Sequence, residues 1–423
     1  MQAPDRNILS RFGETGAIIF LAIYLAVSVT SLPPLLVISP LLISGLCLLA
    51  QTLPASRLEV TGQCATAMII VGLFLVSYLL SVVFSQNLAE SLNAMVQLFP
   101  GLLIAYILNR LPLRLLRKLS WTLSLQVIAV TCVVSLMFLN SSYSIPSDVF
   151  QKHGSPTLVV PNDILVGVIY LPVVWAVLLY ERSPLIKILA MITVVALVIV
   201  IYAVESRVCV LTLLCMIVLH LFYRHKKQFL LRATIVVLAV YFADFFFKLG
   251  LVNNLYLLRE ENARLSIWLA ALSRWVDHPF VGVGPSNFEI AYESGLAHLK
   301  LPDWIMVEPR RIPWAHNLYI EALIERGVAG LLSLALLIGF IFSRLRQQWL
   351  FSANSSNSAN SAENFYFAVF ISFGGFVFAG FFEPTLQRIW VANSLFIYLG
   401  LACRGAENLT GYIPDTGSPG QAQ

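Results

Sequence analysis

The chain is dominated by apolar runs of the length needed to cross a bilayer, roughly 20 residues each. About twelve such runs can be marked, near 15–31, 35–51, 64–84, 88–108, 119–139, 163–180, 186–204, 207–223, 229–249, 317–342, 365–383 and 389–403. A backbone surrounded by lipid must satisfy its own hydrogen bonds, so each run is expected to be a helix. Composition agrees: 58% of residues are hydrophobic and 12% charged, against about 45–50% and about 25% in soluble domains. The expected fold class is an all-α polytopic integral membrane protein. About 12 transmembrane helices are expected, with one large loop that contains interfacial helices. The first apolar run has no small-residue cleavage site and flows into further spans, so a cleavable signal peptide is not expected.

The charges orient the spans. With Arg6 and Arg11 on the cytoplasmic side, alternate connections carry Arg57, then Arg110, Arg114, Arg117 and Lys118, then Arg182 and Lys187, then Arg224, Lys226, Lys227 and Arg232, then Arg344 and Arg346. Arg404 follows the last span. The short opposite connections are almost free of cations, with Lys152, Arg207 and Arg388 as exceptions, and in the long connection 250–315 Arg259, Arg264, Arg274, Lys300, Arg310 and Arg311 are offset by acids. This is the positive-inside pattern, with both termini inside. It divides the chain into helices 1–9 (1–249), an external loop (250–315), helices 10–12 (316–404) and a Gly/Pro/Ser-rich cytoplasmic tail (405–423) expected to be disordered. SANSSNSANSAEN, 352–364, reads as a low-complexity inner loop. The external loop is rich in tryptophan, with Trp268, Trp275, Trp304 and Trp314. Such rings favour the headgroup level. Its stretch NARLSIWLAALSRWVDHP has helical periodicity, with Leu265, Trp268, Leu269, Leu272 and Trp275 near one face. The loop is therefore expected to lie along the membrane boundary.

Soluble-enzyme signatures are absent: there is no P-loop, HExxH or GxSxG, and GVGPSN lacks the strand, helix and lysine of a phosphate cradle. Six cysteines, at 47, 64, 132, 209, 215 and 403, form no CxxC and read as small apolar fillers. The net charge of +5 points to no nucleic-acid partner, since distribution matters more than total in a membrane chain. No metal or other cofactor is expected.

What remains is the stretch RRIPWAHNLYIEALIERGVAGLL, 310–332. Ionisable groups in or beside an apolar run are costly and mark candidate sites. His316 stands just before the run and can either cap the following helix or take a proton from a hydroxyl. Arg207, at an outer junction, either pairs with Glu205 or clamps an anion through its planar fork. Arg264 stands on the amphipathic external helix, and Arg310 and Arg311 can face phosphate or lipid headgroups. Glu321 and Glu325, at i and i+4, read as structural partners for buried polar groups. Arg388 reads as a local ion pair with Glu383. Asn162 reads as a helix cap beside Asp163 at the start of a span.

This stretch resembles the signature of the bacterial O-antigen ligase and polymerase superfamily. The matching residues are His316, Asn317, Glu321, Glu325, Gly327, Gly330 and Leu331. Ser206-Arg207, Arg264-x-x-x-Trp268 followed by HPFVGVGPSNF, and Pro161-Asn162 resemble the family in the same order. The resemblance is strongest over residues 155–335. It implies an enzyme that takes a glycan from undecaprenyl diphosphate on the periplasmic face of the bacterial inner membrane. The glycan passes to a hydroxyl without a metal ion, with inversion at the sugar. Carried over, Arg207 and Arg264 would hold the diphosphate and His316 would be the general base.

Within that superfamily, one large external loop and the span number favour a ligase that joins O-antigen to lipid A-core. Its expected partners are the undecaprenyl-diphosphate-linked glycan donor, the lipid A-core acceptor and membrane lipids. The alternatives are an O-antigen polymerase, described with two sizeable external loops, and a protein O-oligosaccharyltransferase, which carries a longer C-terminal region. A secondary transporter would show an internal repeat, and none is visible here.

Overall fold

The computed structural model describes residues 6–28, 34–52, 62–111, 115–139, 161–229 apart from 182 and 205, 231–235, 263–302, 312–354, 360–383 and 386–404, with a few isolated positions between them. Among these residues there are helices and no strand. The helices are α1 (Arg6–Val27), α2 (Pro34–Thr52), α3 (Gly62–Val83), α4 (Leu88–Val96), α5 (Phe99–Arg110), α6 (Leu116–Leu139), α7 (Leu165–Tyr180) and α8 (Pro184–Val204). They continue with α9 (Arg207–Arg224), α10 (Ala263–Trp275), α11 (Phe288–His298), α12 (Leu318–Asn354), α13 (Asn360–Ala379) and α14 (Ile389–Ala402).

Six helical runs among the described residues are long and apolar enough to cross a membrane, and five further apolar helices are shorter. The chain is an all-α polytopic membrane protein. The run expected at 229–249 lies largely outside the described residues. So do residues 250–262, Trp304, Lys152 and the tail 405–423. The run at 88–108 is two helices, α4 and α5, separated at Gln97 and Leu98, with Pro100 in the first turn of α5. The polar loop at 352–364 is shorter than expected, because α12 extends to Asn354 and α13 begins at Asn360.

A helix that is apolar all round belongs inside a bundle. α14 meets that condition and is buried without interruption from Trp390 to Ala402. Small residues let its neighbours approach. A Cβ on Gly101 of α5 would lie 2.2 Å from the Phe396 ring, and one on Gly400 would lie 2.8 Å from the Ala105 carbonyl. By contrast α8 exposes Leu185, Ile188, Ile192 and Ile199, as a lipid-facing helix must. At the end where α14 finishes, Arg404 donates to the carbonyls of Leu108 and Leu111, which end α5 without helical partners.

α10 and α11 form a cap with its own small core of Ile267, Ala270, Ala271, Phe288, Ala291 and Tyr292, joined by Ile324 of α12. The buried stripe of α10 is therefore distinct from the face that carries the bulky residues. Trp268, Leu272 and Trp275 are only partly buried beside it, and Leu269 is exposed. The contact is made by small side chains: a Cβ on Gly295 of α11 would lie 1.9 Å from the Ala270 carbonyl oxygen.

The apolar run expected at 317–342 is not one continuous helix. α12 breaks at Gly327, with φ 64° and ψ −167°. The loop between α10 and α11 seals the break. Val283 N–H donates to Ile324 O at 3.0 Å and Gly284 N–H to Glu325 O at 2.9 Å. Val328 N–H donates to Pro279 O at 2.8 Å and Ala329 N–H to Phe280 O at 3.3 Å. Ser81 of α3 adds a 2.6 Å bond to Glu325 O. Two backbones meet here, and each needs glycine. A Cβ on Gly327 would lie 2.2 Å from the Phe280 carbonyl carbon, and one on Gly282 (φ 72°) would lie 2.3 Å from that of Glu325. Beyond the break, Val328–Asn354 spans roughly 40 Å at 1.5 Å per residue, enough to cross a core of about 30 Å alone. Glu321, Glu325 and Arg326 thus precede the crossing helix rather than sitting within it.

Gly327→Ala should lower the apparent melting temperature of the purified protein, since strained backbone costs on the order of 1–3 kcal/mol before the clash is counted. Gly339→Ala is the control, because nothing lies within 4 Å of its Cβ position. Equal melting temperatures for the two variants would contradict the sealed-break account.

Candidate functional site

The site is built where the cap, the start of α12 and the loop between α13 and α14 converge. Asn317 is the cap of α12: its Oδ1 accepts from Tyr319 N–H and Ile320 N–H, both at 3.0 Å, and its Nδ2 donates to Phe381 O at 3.0 Å. The capping role weighed for His316 is therefore filled by its neighbour. His316 takes a left-handed backbone, φ 49°, which costs a non-glycine residue roughly 1–2 kcal/mol. Its predecessor is held on both sides. Ala315 O accepts from Trp268 Nε1 at 2.9 Å, and Ala315 N–H donates to Glu321 Oε2 at 3.3 Å.

The His316 side chain is 26% exposed, and its Nδ1 lies 3.2 Å from both oxygens of Glu383. Arg264 Nη2 lies 3.5 Å from Glu383 Oε2. The Glu383 side chain is 11% exposed while that of Arg264 is 37% exposed. Burial acts to raise the Glu383 pKa, but His316, Arg264 and Arg388 together outweigh it and hold the carboxyl below its ordinary range.

Arg388 is not paired with Glu383, as expected from their closeness in sequence. Its Nη1 lies 3.1 Å from Asp163 Oδ2, and its guanidinium sits 4.8 Å from the Trp314 ring centroid. Trp390 Nε1 donates to Asp163 Oδ1 at 2.6 Å. Trp314 in turn meets His316 edge-on, centroids 6.0 Å apart. One face of the histidine is thus bounded by a rigid ring held under a fixed cation.

Glu325 Oε1 accepts from Phe288 N–H at 3.3 Å and from Gln387 Nε2 at 2.9 Å. Arg326 is buried against Phe74 and Tyr78, 5.3 and 5.0 Å from their ring centroids. The GVGPSN turn cradles no phosphate. Asn287 Nδ2 ties it to Ser85 Oγ at 2.6 Å and Ser91 Oγ at 3.2 Å, and its glycine N–H groups are engaged by protein carbonyls.

The structure therefore brings His316 and Arg264 together and adds Glu383, which sequence reasoning assigned to Arg388. Arg207 opens α9 at the same end, where the charge of Glu383 reaches Cys209 in the first turn. It makes no ion pair with a described residue, and Glu205 lies outside the described residues, as do Arg310 and Arg311. Nothing is described of the Asn162 side chain. An apolar cavity of about 800 Å³, lined by Trp175, Leu179, Met216 and Phe367 and reaching Arg224, opens at the other end of α9. It is remote from the ionisable cluster.

Residues 192–335 match the family model described as O-antigen ligase. This match supports the O-antigen ligase and polymerase superfamily for the segment. The match covers about a third of the chain. It includes Arg207, Arg264, Arg310, Arg311, His316, Asn317, Glu321 and Glu325, while Asp163, Glu383 and Arg388 lie beyond it. No curated protein matches the sequence. The superfamily domain does not by itself separate ligase from polymerase.

The depressed Glu383 pKa has a consequence for stability. Its contribution is complete above the unfolded value of about 4.3 and is lost as pH falls through the lower folded value. Wild type should melt above Glu383→Gln at neutral pH, and the gap should close as pH drops below about 4. A gap that widens on acidification would contradict the ion-pair geometry.

Proposed function

We infer that the protein is a membrane glycosyltransferase of lipopolysaccharide assembly, transferring O-antigen from undecaprenyl diphosphate to a lipid A-core hydroxyl on the periplasmic face of the inner membrane. The observation that carries this reading is the meeting of His316 and Arg264, both in the superfamily-matched segment, around Glu383 at one end of a helical membrane bundle. The O-antigen ligase family acts with a lipid-linked glycan and a lipid acceptor. Ligase is favoured over polymerase by the single large hydrophilic connection, 250–315.

In this mechanism the acceptor oxygen attacks the anomeric carbon while the bond from that carbon to the diphosphate oxygen breaks. The acceptor proton passes to His316. The bonding electrons leave with undecaprenyl diphosphate. Arg264, and Arg207 at the start of α9, neutralise the charge that grows on the leaving group and so act mainly on the transition state. A carbon–oxygen bond to a diphosphate is already activated, so the chemistry asks the protein for a base and for cations. Arg310 and Arg311 are placed by sequence on the same loop and are proposed as further diphosphate contacts. Asn317, Glu321 and Glu325 support the site through the backbone bonds described above. The 1–249, 250–315, 316–404 and 405–423 division is retained as a working map of spans, external loop, spans and tail.

The test is reconstitution of purified protein with undecaprenyl-diphosphate glycan, with and without lipid A-core. Glycan on lipid A-core is expected. Lengthened donor in the absence of lipid A-core would make the protein a polymerase, and neither product would overturn the transferase reading. Arg264→Lys should recover only part of the activity lost in Arg264→Ala, because the ammonium cannot hold two phosphate oxygens with one planar fork.

A further inference from the structure

The His316–Glu383 contact has a property that no residue of the matched segment supplies. Glu383 lies outside residues 192–335, on the turn that joins α13 to α14. It reaches back across 67 positions to meet Nδ1 with both oxygens at 3.2 Å. An imidazole flanked at Nδ1 by a carboxylate carries its single proton there when neutral, so the lone pair sits on Nε2. Glu383 is itself poorly placed to meet a substrate, being less exposed than the histidine and already shared between His316 and Arg264.

The sharing is unequal. The Arg264 contact is longer, 3.5 Å, and its guanidinium is the most exposed of the three groups. An arriving diphosphate, with more negative charge and several oxygens, can draw Arg264 away. The carboxylate then acts on the imidazole with its charge no longer offset by that cation. The remaining charge facing Glu383 is Arg388, which stays on Asp163 and over the Trp314 ring. Cys209 of α9 is the other titratable group near it.

We propose that Glu383 is a positioning residue that fixes the Nδ1–H tautomer of His316 and couples its basicity to the presence of the lipid-diphosphate donor through Arg264. The proposal rests on the general-base reading of His316. No proton leaves Nδ1 in this scheme. The acceptor proton arrives on Nε2, and the imidazolium so formed lies against the carboxylate. The order of events follows: the base is strongest once the donor is seated, which disfavours attack before the diphosphate is held.

The experiment is the pH dependence of transfer by the reconstituted full-length protein, with undecaprenyl-diphosphate glycan and lipid A-core, for wild type, Glu383→Gln and Glu383→Asp. In wild type the acid limb of kcat should lie at higher pH than that of kcat/KM for the donor, because kcat reports the donor-bound state. Glu383→Gln should lower kcat by about 100-fold, within the range of general-base effects. It should move the acid limb of kcat to lower pH, since the anion that favours imidazolium is gone. The donor KM should change by much less, and Glu383→Asp should recover part of kcat. A folded Glu383→Gln protein with the wild-type kcat and acid limb would overturn the proposal. So would a loss confined to donor KM, which would make Glu383 a partner of Arg264 alone. If Glu383→Gln does not fold, ¹⁵N chemical shifts of His316 in wild type decide: protonated Nδ1 supports the proposal, and protonated Nε2 in the neutral ring overturns it. His316→Ala separates the two levels of the account. Retained transfer in that variant removes the general-base reading itself, while a dead His316→Ala beside an unaffected Glu383→Gln removes only the role of Glu383.

Discussion

An interrupted helix at the edge of an apolar layer needs foreign hydrogen-bond partners, and at Gly327 they come from residues 279–284. Each backbone group left unpaired there would cost roughly 1–3 kcal/mol. The seal therefore does more than close a gap. It fastens the loop between α10 and α11 to α12, and with it the helix that carries Arg264. The short segment before the break holds Glu321 and Glu325, whose carboxylates fix Ala315 and Phe288 by their backbone N–H groups. His316 is thereby set in a backbone conformation that a free loop would abandon.

The turn between α13 and α14 completes the arrangement from the other side. Within a few residues it supplies Glu383 to His316 and Arg264, Gln387 to Glu325, and Arg388 to Asp163. Buried charges are tolerated when paired and hydrogen-bonded, and here each pair also joins elements distant in the chain. The cap, the broken helix, the start of α7 and the last hairpin are held together by electrostatics at one end. Apolar packing around α14 holds the rest of the bundle.

The all-α membrane class was legible because twenty apolar residues in a row have few alternatives. His316 and Arg264, which meet at Glu383, and Arg207, which opens α9, stand out in the sequence because each is a charge, or a potential charge, where apolar or neutral residues prevail. The break was not legible: the apolar residues on either side of Glu325, Arg326 and Gly327 read as one span, 317–342. The buried stripe of α10 had no such signal: Ala270 makes the close contact with Gly295, and small side chains carry little periodicity beside the bulky face. Glu383 was misassigned to Arg388, five positions away, because sequence shows neighbours and not partners. The carboxylate that meets Arg388 belongs to Asp163, 225 positions distant, and no local pattern encodes such a pairing.

The central claim is that His316 does chemistry on an acceptor while the arginines hold the donor. Separate measurement of donor binding and of transfer on one variant tests it most directly. Purified His316→Ala, loaded with radiolabelled undecaprenyl-diphosphate glycan in lipid vesicles, should retain donor as wild type does and transfer about 10²–10⁴-fold more slowly to lipid A-core, the range ascribed to a general base. Wild-type transfer by that variant, or loss of donor binding in step with activity, would contradict the account.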